Sequence, residues 1–193
     1  MFVELLREQL ASLVELTPSQ VATLERHFLL LMKWNEVLSL TSLSDTDEIV
    51  ERHYCESIFL GLHLPAGSLK IADIGSGAGF PGIPVAVLRP DCSVSLIESH
   101  KRKGVFLREA TRDLANVDVL SKRVEDVIGD FDWGVCRAVR FSDIEKPVAR
   151  ISRSVGVLGG KDTPPTCRFT WNDPIRLPWG QQRYVWIGTR RST

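Results

Sequence analysis

Asp73 precedes three alternating glycines, Gly75, Gly77 and Gly79, in the run Ile71-Ala72-Asp73-Ile74-Gly75-Ser76-Gly77-Ala78-Gly79-Phe80-Pro81-Gly82. The apolar residues before the glycines read as a short strand, and Pro81 suits the first turn of a helix. A strand that turns into a helix through glycines lets a ligand approach its backbone closely. Residues 77–82 match the GxGxxG spacing of dinucleotide sites, and Glu98 follows at about the distance from which an acidic side chain meets a ribose. Asp73 argues for another cofactor. A carboxylate two residues before the first glycine suits a ligand with an ammonium group and is badly placed beside a pyrophosphate. S-adenosylmethionine has that ammonium group, a cationic sulfonium and no phosphate, so it is the expected cofactor. NAD and a ligand-free glycine turn are the alternatives.

Further candidates follow the later strands. Val124 and Glu125 come after the third strand, where backbone groups can read an adenine; an ordinary helix start is the other reading. Arg137 ends the fourth strand and points into the same crevice, unless it is a plain surface arginine. Lys101, Arg102 and Lys103 open a helix, where cations oppose the macrodipole. With Lys122 and Arg123 they form a basic set expected to contact RNA phosphates, against the alternative of a solvated face. His53 and Tyr54 sit mid-helix and read as structural. No catalytic base is assigned.

Absent residues narrow the chemistry. Methylation of carbon 5 of a pyrimidine needs a cysteine nucleophile. There is no Pro-Cys pair, and Cys136 is the only cysteine at a strand end. Methylation of an exocyclic amine uses an Asn/Asp-Pro-Pro-aromatic loop, where this chain has Cys136-Arg137-Ala138-Val139. The 7-nitrogen of guanine has a free lone pair and no proton to lose, so positioning suffices.

These residues need a scaffold that gathers strand ends. Residues 1–65 read as a helical extension: Phe2, Leu6, Leu10, Leu13 and Val14 recur at helical steps, Thr17 to Gln20 reads as a capping box, and a third helix runs from Ser44 or Asp45 to Gly61. Residues 66–193 alternate strand and helix: strands at Lys70–Ile74, Ser93–Glu98, Val117–Leu120 and Phe131–Cys136, helices at Pro81–Leu88, Lys101–Leu114 and Ser142–Ile151. Arg168–Trp171 and Arg183–Thr189 then suggest a closing hairpin. The expected fold is α/β: a Rossmann-like, mostly parallel class I methyltransferase sheet with a C-terminal antiparallel hairpin.

The four cysteines lack CxxC spacing, which argues against a metal site and a disulfide framework and fits a reducing, cytoplasmic setting. No apolar run is long enough to span a bilayer. Net charge is zero but uneven: residues 1–69 carry 4 Lys/Arg against 10 Asp/Glu, and residues 70–193 carry 20 against 14. The basic part is compatible with a nucleic-acid partner.

Four segments resemble the RsmG/GidB ribosomal RNA small subunit methyltransferases. Trp34-Asn35 with Leu40-Thr41 is similar to that family's WN…NLT. Arg52-His53-Tyr54-Cys55-Glu56-Ser57 is similar to its RH…DS, with Glu56 where aspartate is usual. Residues 73–84, DIGSGAGFPGIP, are close to its signature, and Ser121–Glu125 with Cys136-Arg137-Ala138 resemble its adenine-side and SRA segments. The resemblance implies a bacterial cytoplasmic enzyme, specific for N7 of a guanine in small-subunit (16S) rRNA, with Gly75, Phe80, Val124, Glu125 and Arg137 contacting S-adenosylmethionine and Glu98 at the ribose position. It is expected to act as a monomer on the rRNA or on a partly assembled subunit. Two departures fall late: Leu158-Gly159-Gly160-Lys161 puts glycine where the family has the lysine of L-K-G, and residues 162–166 leave no room for the helix before the final hairpin. A homologue with another substrate, or one that binds without catalysis, is the alternative.

Overall fold

The computed structural model describes residues 1–162 and 167–191. The short segment expected to lack a helix lies largely outside the described residues.

The chain opens with α1 (Phe2–Leu10) and α2 (Pro18–Leu38). The expected capping box forms: the Gln20 N–H donates to Thr17 Oγ1 and the Thr17 N–H to Gln20 Oε1. The third helix has Asp45 as its cap and continues through α3 (Thr46–Ile49), a π-helical stretch (Val50–Cys55) and α4 (Glu56–Leu62). Gly61 was expected to end it as a left-handed cap. Instead Gly61 is helical and lets a neighbouring helix approach: a Cβ there would stand 2.8 Å from Leu88 Cδ2.

The sheet comprises β1 (Lys70–Ile74), β2 (Ser93–Ile97), β3 (Val117–Leu120), β4 (Phe131–Arg137), β5 (Ser152–Gly160), β6 (Phe169–Trp171), β7 (Ile175–Arg176) and β8 (Arg183–Arg190). Helices α5 (Gly82–Leu88), α6 (Lys101–Ala110) and α7 (Phe141–Ile151) connect the parallel strands. Helix α6 stops at Ala110, short of the expected Leu114; the Thr111 hydroxyl donates to the Leu107 carbonyl at its end. Strand order is β3-β2-β1-β4-β5-β8-β6, with β7 paired to β8. Strands β1 to β5 run parallel, while β8 is antiparallel to both β5 and β6. The closing hairpin is therefore present, and its second strand lies inside the first. The two-residue β7 was not expected.

Alternation along the strands divides the core. Ile71, Leu96 and Val135 join the N-terminal helices in one apolar cluster, and Ile74, Ile97 and Cys136 join α7 in another. Register aligns Ile74 with both Ile97 and Cys136, and Ile97 with Leu120. Gly75, Glu98, Arg137 and Ser121 therefore lie at the carboxyl end of the sheet, where the strand order switches from one side of β1 to the other between β1 and β4. That switch point is the ligand crevice of open α/β sheets.

Candidate active site

The glycine loop is built from positive φ angles: Gly75 at 72°, Gly77 at 57° and Gly79 at 89°. The Gly75 and Ser76 N–H groups both donate to the Ile97 carbonyl, which ties the loop to β2. A Cβ on Gly77 would meet nothing nearer than the Gly75 carbonyl at 3.8 Å, so the space before Gly77 is open.

Glu98 stands beside that opening. The Gly77 N–H donates to its Oε2 (2.9 Å) and the His100 N–H to its Oε1 (2.7 Å). Each oxygen keeps a second lone pair, so the carboxylate is held in place while still able to accept two hydroxyls.

Asp73 does not face the crevice. Its side chain is fully buried beneath the loop, where Oδ2 accepts the Gly82 N–H at 3.0 Å. Gly82 opens α5, so the carboxylate takes one of the orphan donors of a helix start. Oδ1 has no partner among the described residues. Burial raises the carboxyl to about 7, with nearby Glu98 adding to the effect. Direct contact with a ligand's ammonium, as expected from the sequence, does not follow from this placement.

Phe80 is also turned away. Its ring packs in the helical layer against His53 (4.6 Å), Tyr54 (5.0 Å) and His27 (5.2 Å). The Arg137 guanidinium lies 6.0 Å from the same ring and donates from one Nη to the Arg52 carbonyl. Arg137 thus ties the end of β4 to the π-helical stretch. Val124 is buried in a short 3-10 turn (Val124–Asp126), while Glu125 is exposed. Lys101, Arg102, Lys122 and Arg123 are exposed on the crevice edge and Lys103 is half-buried.

The sequence reading missed His27. Its ring is buried; Nε2 lies 2.9 Å from the Ala78 carbonyl and Nδ1 2.9 Å from the Tyr54 hydroxyl. A carbonyl only accepts, so Nε2 carries the proton and Nδ1 accepts from tyrosine. His27 therefore links α2 to the glycine loop. Its three-residue step from Leu24, on the apolar stripe, was the available signal. His53, read as structural, is buried with Nε2 2.7 Å from Thr41 Oγ1, and the Thr41 N–H donates to Asn35 Oδ1. Thr41, the Arg52–Tyr54 stretch and Arg137, from three of the similar segments, thus meet around Phe80 of the fourth. Cys136 is buried and its thiol is pushed up by desolvation, which makes it a poor nucleophile.

A model of the GidB family, described as rRNA small subunit methyltransferase G, matches residues 20–157. The chain belongs to that family. The resemblance carried by the glycine loop and its neighbours is borne out. The rRNA small subunit methyltransferase G of Chromobacterium violaceum is 43% identical over 123 residues, covering 62% of this chain and 58% of that protein. That of Polynucleobacter asymbioticus is 35% identical over 151 residues, covering 71% and 68%. Against the first of these, the matched region spans about three fifths of the relative's length. Among solved structures, a SAM-dependent methyltransferase from Aquifex aeolicus superposes with a TM-score of 0.63 at 11% identity, covering 79% of this chain and 97% of that one. The magnesium protoporphyrin IX methyltransferase of Synechocystis gives 0.62 at 13% identity, covering 88% and 99%. The fold of this GidB-family chain is thus the Rossmann-like methyltransferase fold, N-terminal helices included. No helix among the described residues is long and apolar enough to cross a membrane.

The buried histidines beneath the loop predict a pH dependence. Desolvation lowers His27 from 6.5 to about 4 and His53 to about 3, the latter also through the charge of Arg137. Below pH 6.5 the unfolded chain gains protons that the folded chain refuses, so this stability is complete above 6.5 and is lost towards pH 4 and 3. Asp73 opposes the trend. Raised from 3.8 to about 7, it binds a proton in the fold across that window and gains stability as pH falls. Two groups lose and one gains, leaving a net decrease of roughly 1.4 kcal/mol per pH unit between about pH 6 and pH 4. Urea unfolding midpoints at neutral pH and near pH 5 should show that decrease; an unchanged or higher midpoint at pH 5 contradicts the two histidine assignments.

Proposed function

We propose that this protein transfers a methyl group from S-adenosylmethionine to N7 of a guanine in small-subunit ribosomal RNA. The observation that carries the reading is Glu98, clamped by the Gly77 and His100 N–H groups beside the open face of Gly77 in a chain of this family. That arrangement fits a ribose. A pyrophosphate placed beside Glu98 would meet a carboxylate, which disfavours NAD. Gly75 and Gly77 line the cofactor with backbone, Val124 covers the adenine, and Glu125 stands at its margin. Arg137 keeps guanidinium donors besides the one given to Arg52, and these hold the cofactor's carboxylate. Asp73 and Phe80 act from behind, by fixing the loop.

When bound, S-adenosylmethionine supplies an electrophilic methyl on a sulfonium. The guanine N7 lone pair forms the new bond while the sulfur keeps the electrons of the broken one, and no proton moves. The protein's task is to orient the two in line, an effect worth up to roughly 7–11 kcal/mol in favourable cases. Lys101, Arg102, Lys103, Lys122 and Arg123 hold the surrounding phosphates. The enzyme works in the bacterial cytoplasm as a monomer, on the rRNA or a partly assembled subunit.

Two substitutions test the cofactor site by titration with S-adenosylhomocysteine. Glu98→Ala should weaken binding by about 1.5–3 kcal/mol, the scale of hydrogen bonds to a charged group. Gly77→Ala should cost about 1–2 kcal/mol of stability through its left-handed backbone but at least tenfold in cofactor affinity, because its Cβ enters the open face. Unchanged affinity in both, or tighter binding of NAD than of S-adenosylhomocysteine, removes the site. Incubation with small subunits isolated from cells lacking the gene, together with labelled S-adenosylmethionine, tests the substrate. Label in 7-methylguanosine is expected, and label elsewhere contradicts the reading.

A further inference from the structure

A second basic surface lies outside the crevice. A cavity of about 1010 Å³ is lined by Lys146 and Arg150 of α7, Arg153 at the start of β5, Arg168 before β6, and Arg190 and Arg191 at the end of β8. These segments meet because β5 and β8 are antiparallel, with Ser154 opposite Thr189. All six cations are exposed. Arg153 is paired with Asp130 at 2.8 Å, and among the described residues the other five make no salt bridge. Among the described residues of the lining, Glu125 is the one acidic side chain.

The arginines are arranged as well as numerous. Arg150 donates from one Nη to the carbonyls of Val124, Glu125 and Val127. Arg190 donates from one Nη to the Ala149 carbonyl. Carbonyls orient a guanidinium without neutralising it, and each fork keeps further donors for a planar, bidentate anion. Like charges gathered this way repel one another until a polyanion enters. Arg153 and Ser154 open β5, whereas Leu158 near its other end pairs with Arg137 at the crevice, so the groove lies at the opposite end of the sheet, with α7 running between the two.

We propose that this groove is a second RNA-binding surface that holds the phosphate backbone of the substrate away from the target guanine. The proposal rests on the rRNA reading above and adds to it a site for the flanking nucleic acid. It also gives the unevenly basic part of the chain a specific task.

The test uses isolated small ribosomal subunits as the probe. Lys146→Ala, Arg168→Ala and Arg191→Ala are combined, which leaves the backbone anchors of Arg150 and Arg190 intact. The triple variant should bind S-adenosylhomocysteine normally but subunits at least tenfold more weakly. The slope of log affinity against log salt should fall by about two, at roughly 0.7–0.9 per lost phosphate contact. Cys167 lines the groove and is the only exposed cysteine of the four. Its alkylation by iodoacetamide in the unaltered protein should be slowed by subunits and not by polyglutamate. If unaltered protein binds subunits while Cys167 stays reactive and the triple variant keeps its affinity and salt slope, the groove proposal alone is overturned. Protection by polyglutamate would replace RNA with an acidic protein. Failure of the unaltered protein to bind subunits at all overturns both the groove and the rRNA reading.

Discussion

Arg183→Met is expected to destabilise the protein by about 3–5 kcal/mol, the cost of leaving a buried charge without its partner. Glu56 on α4 is 1% exposed, and Arg183 on β8 meets it with two parallel hydrogen bonds, Nε to Oε1 at 2.9 Å and Nη2 to Oε2 at 2.6 Å. The pair fastens the helical layer to the antiparallel strand. Removing arginine alone strands the carboxylate. Removing both charges does not, so Glu56→Met combined with Arg183→Met should recover most of the loss. Urea unfolding of the two single variants and the double measures this as a cycle. A single variant within about 0.5 kcal/mol of wild type, the range of ordinary surface changes, would show that the pair contributes little.

Gly79→Ala should cost about 2–5 kcal/mol. Its φ of 89° strains any L-residue by about 1–2 kcal/mol, and its Cβ would stand 2.3 Å from Ile83 Cδ1 and 2.8 Å from Cγ1. Crowding of a packed core adds typically 1–3 kcal/mol. Gly67→Ala is the matched control, because its φ is 93° with nothing within 4 Å of the added carbon. That variant should lose only the backbone strain. Equal losses at the two positions would show that Ile83 gives way and that the loop is less tightly packed than its contacts imply.

Local pattern made much of this protein legible. The capping box at Thr17, the alternating strands and helices, and the glycines after β1 all depend on residues close in sequence, and they place Gly75, Glu98 and Arg137 at one end of the sheet. What stayed hidden depends on residues brought together from afar. Asp73 reads as a ligand contact until Gly82 is seen to take its carboxylate. Gly61 reads as a helix cap because the approach of Leu88 is invisible in the string. Glu56 and Arg183 lie 127 positions apart, and no periodicity links them. The second basic groove is assembled from α7, β5, β6 and β8, so its charges look scattered until the antiparallel strand folds back. Phe80 belongs with these: the motif marks it as a cofactor contact, and only the packing of His27, His53 and Tyr54 shows which way its ring points.

The central claim is tested most directly by nucleoside analysis of small-subunit rRNA from cells with and without the gene. The account predicts that cells lacking it lose a 7-methylguanosine from that rRNA, that the unaltered gene restores it, and that the Glu98→Ala gene restores it poorly. Identical 7-methylguanosine content with and without the gene would contradict the account.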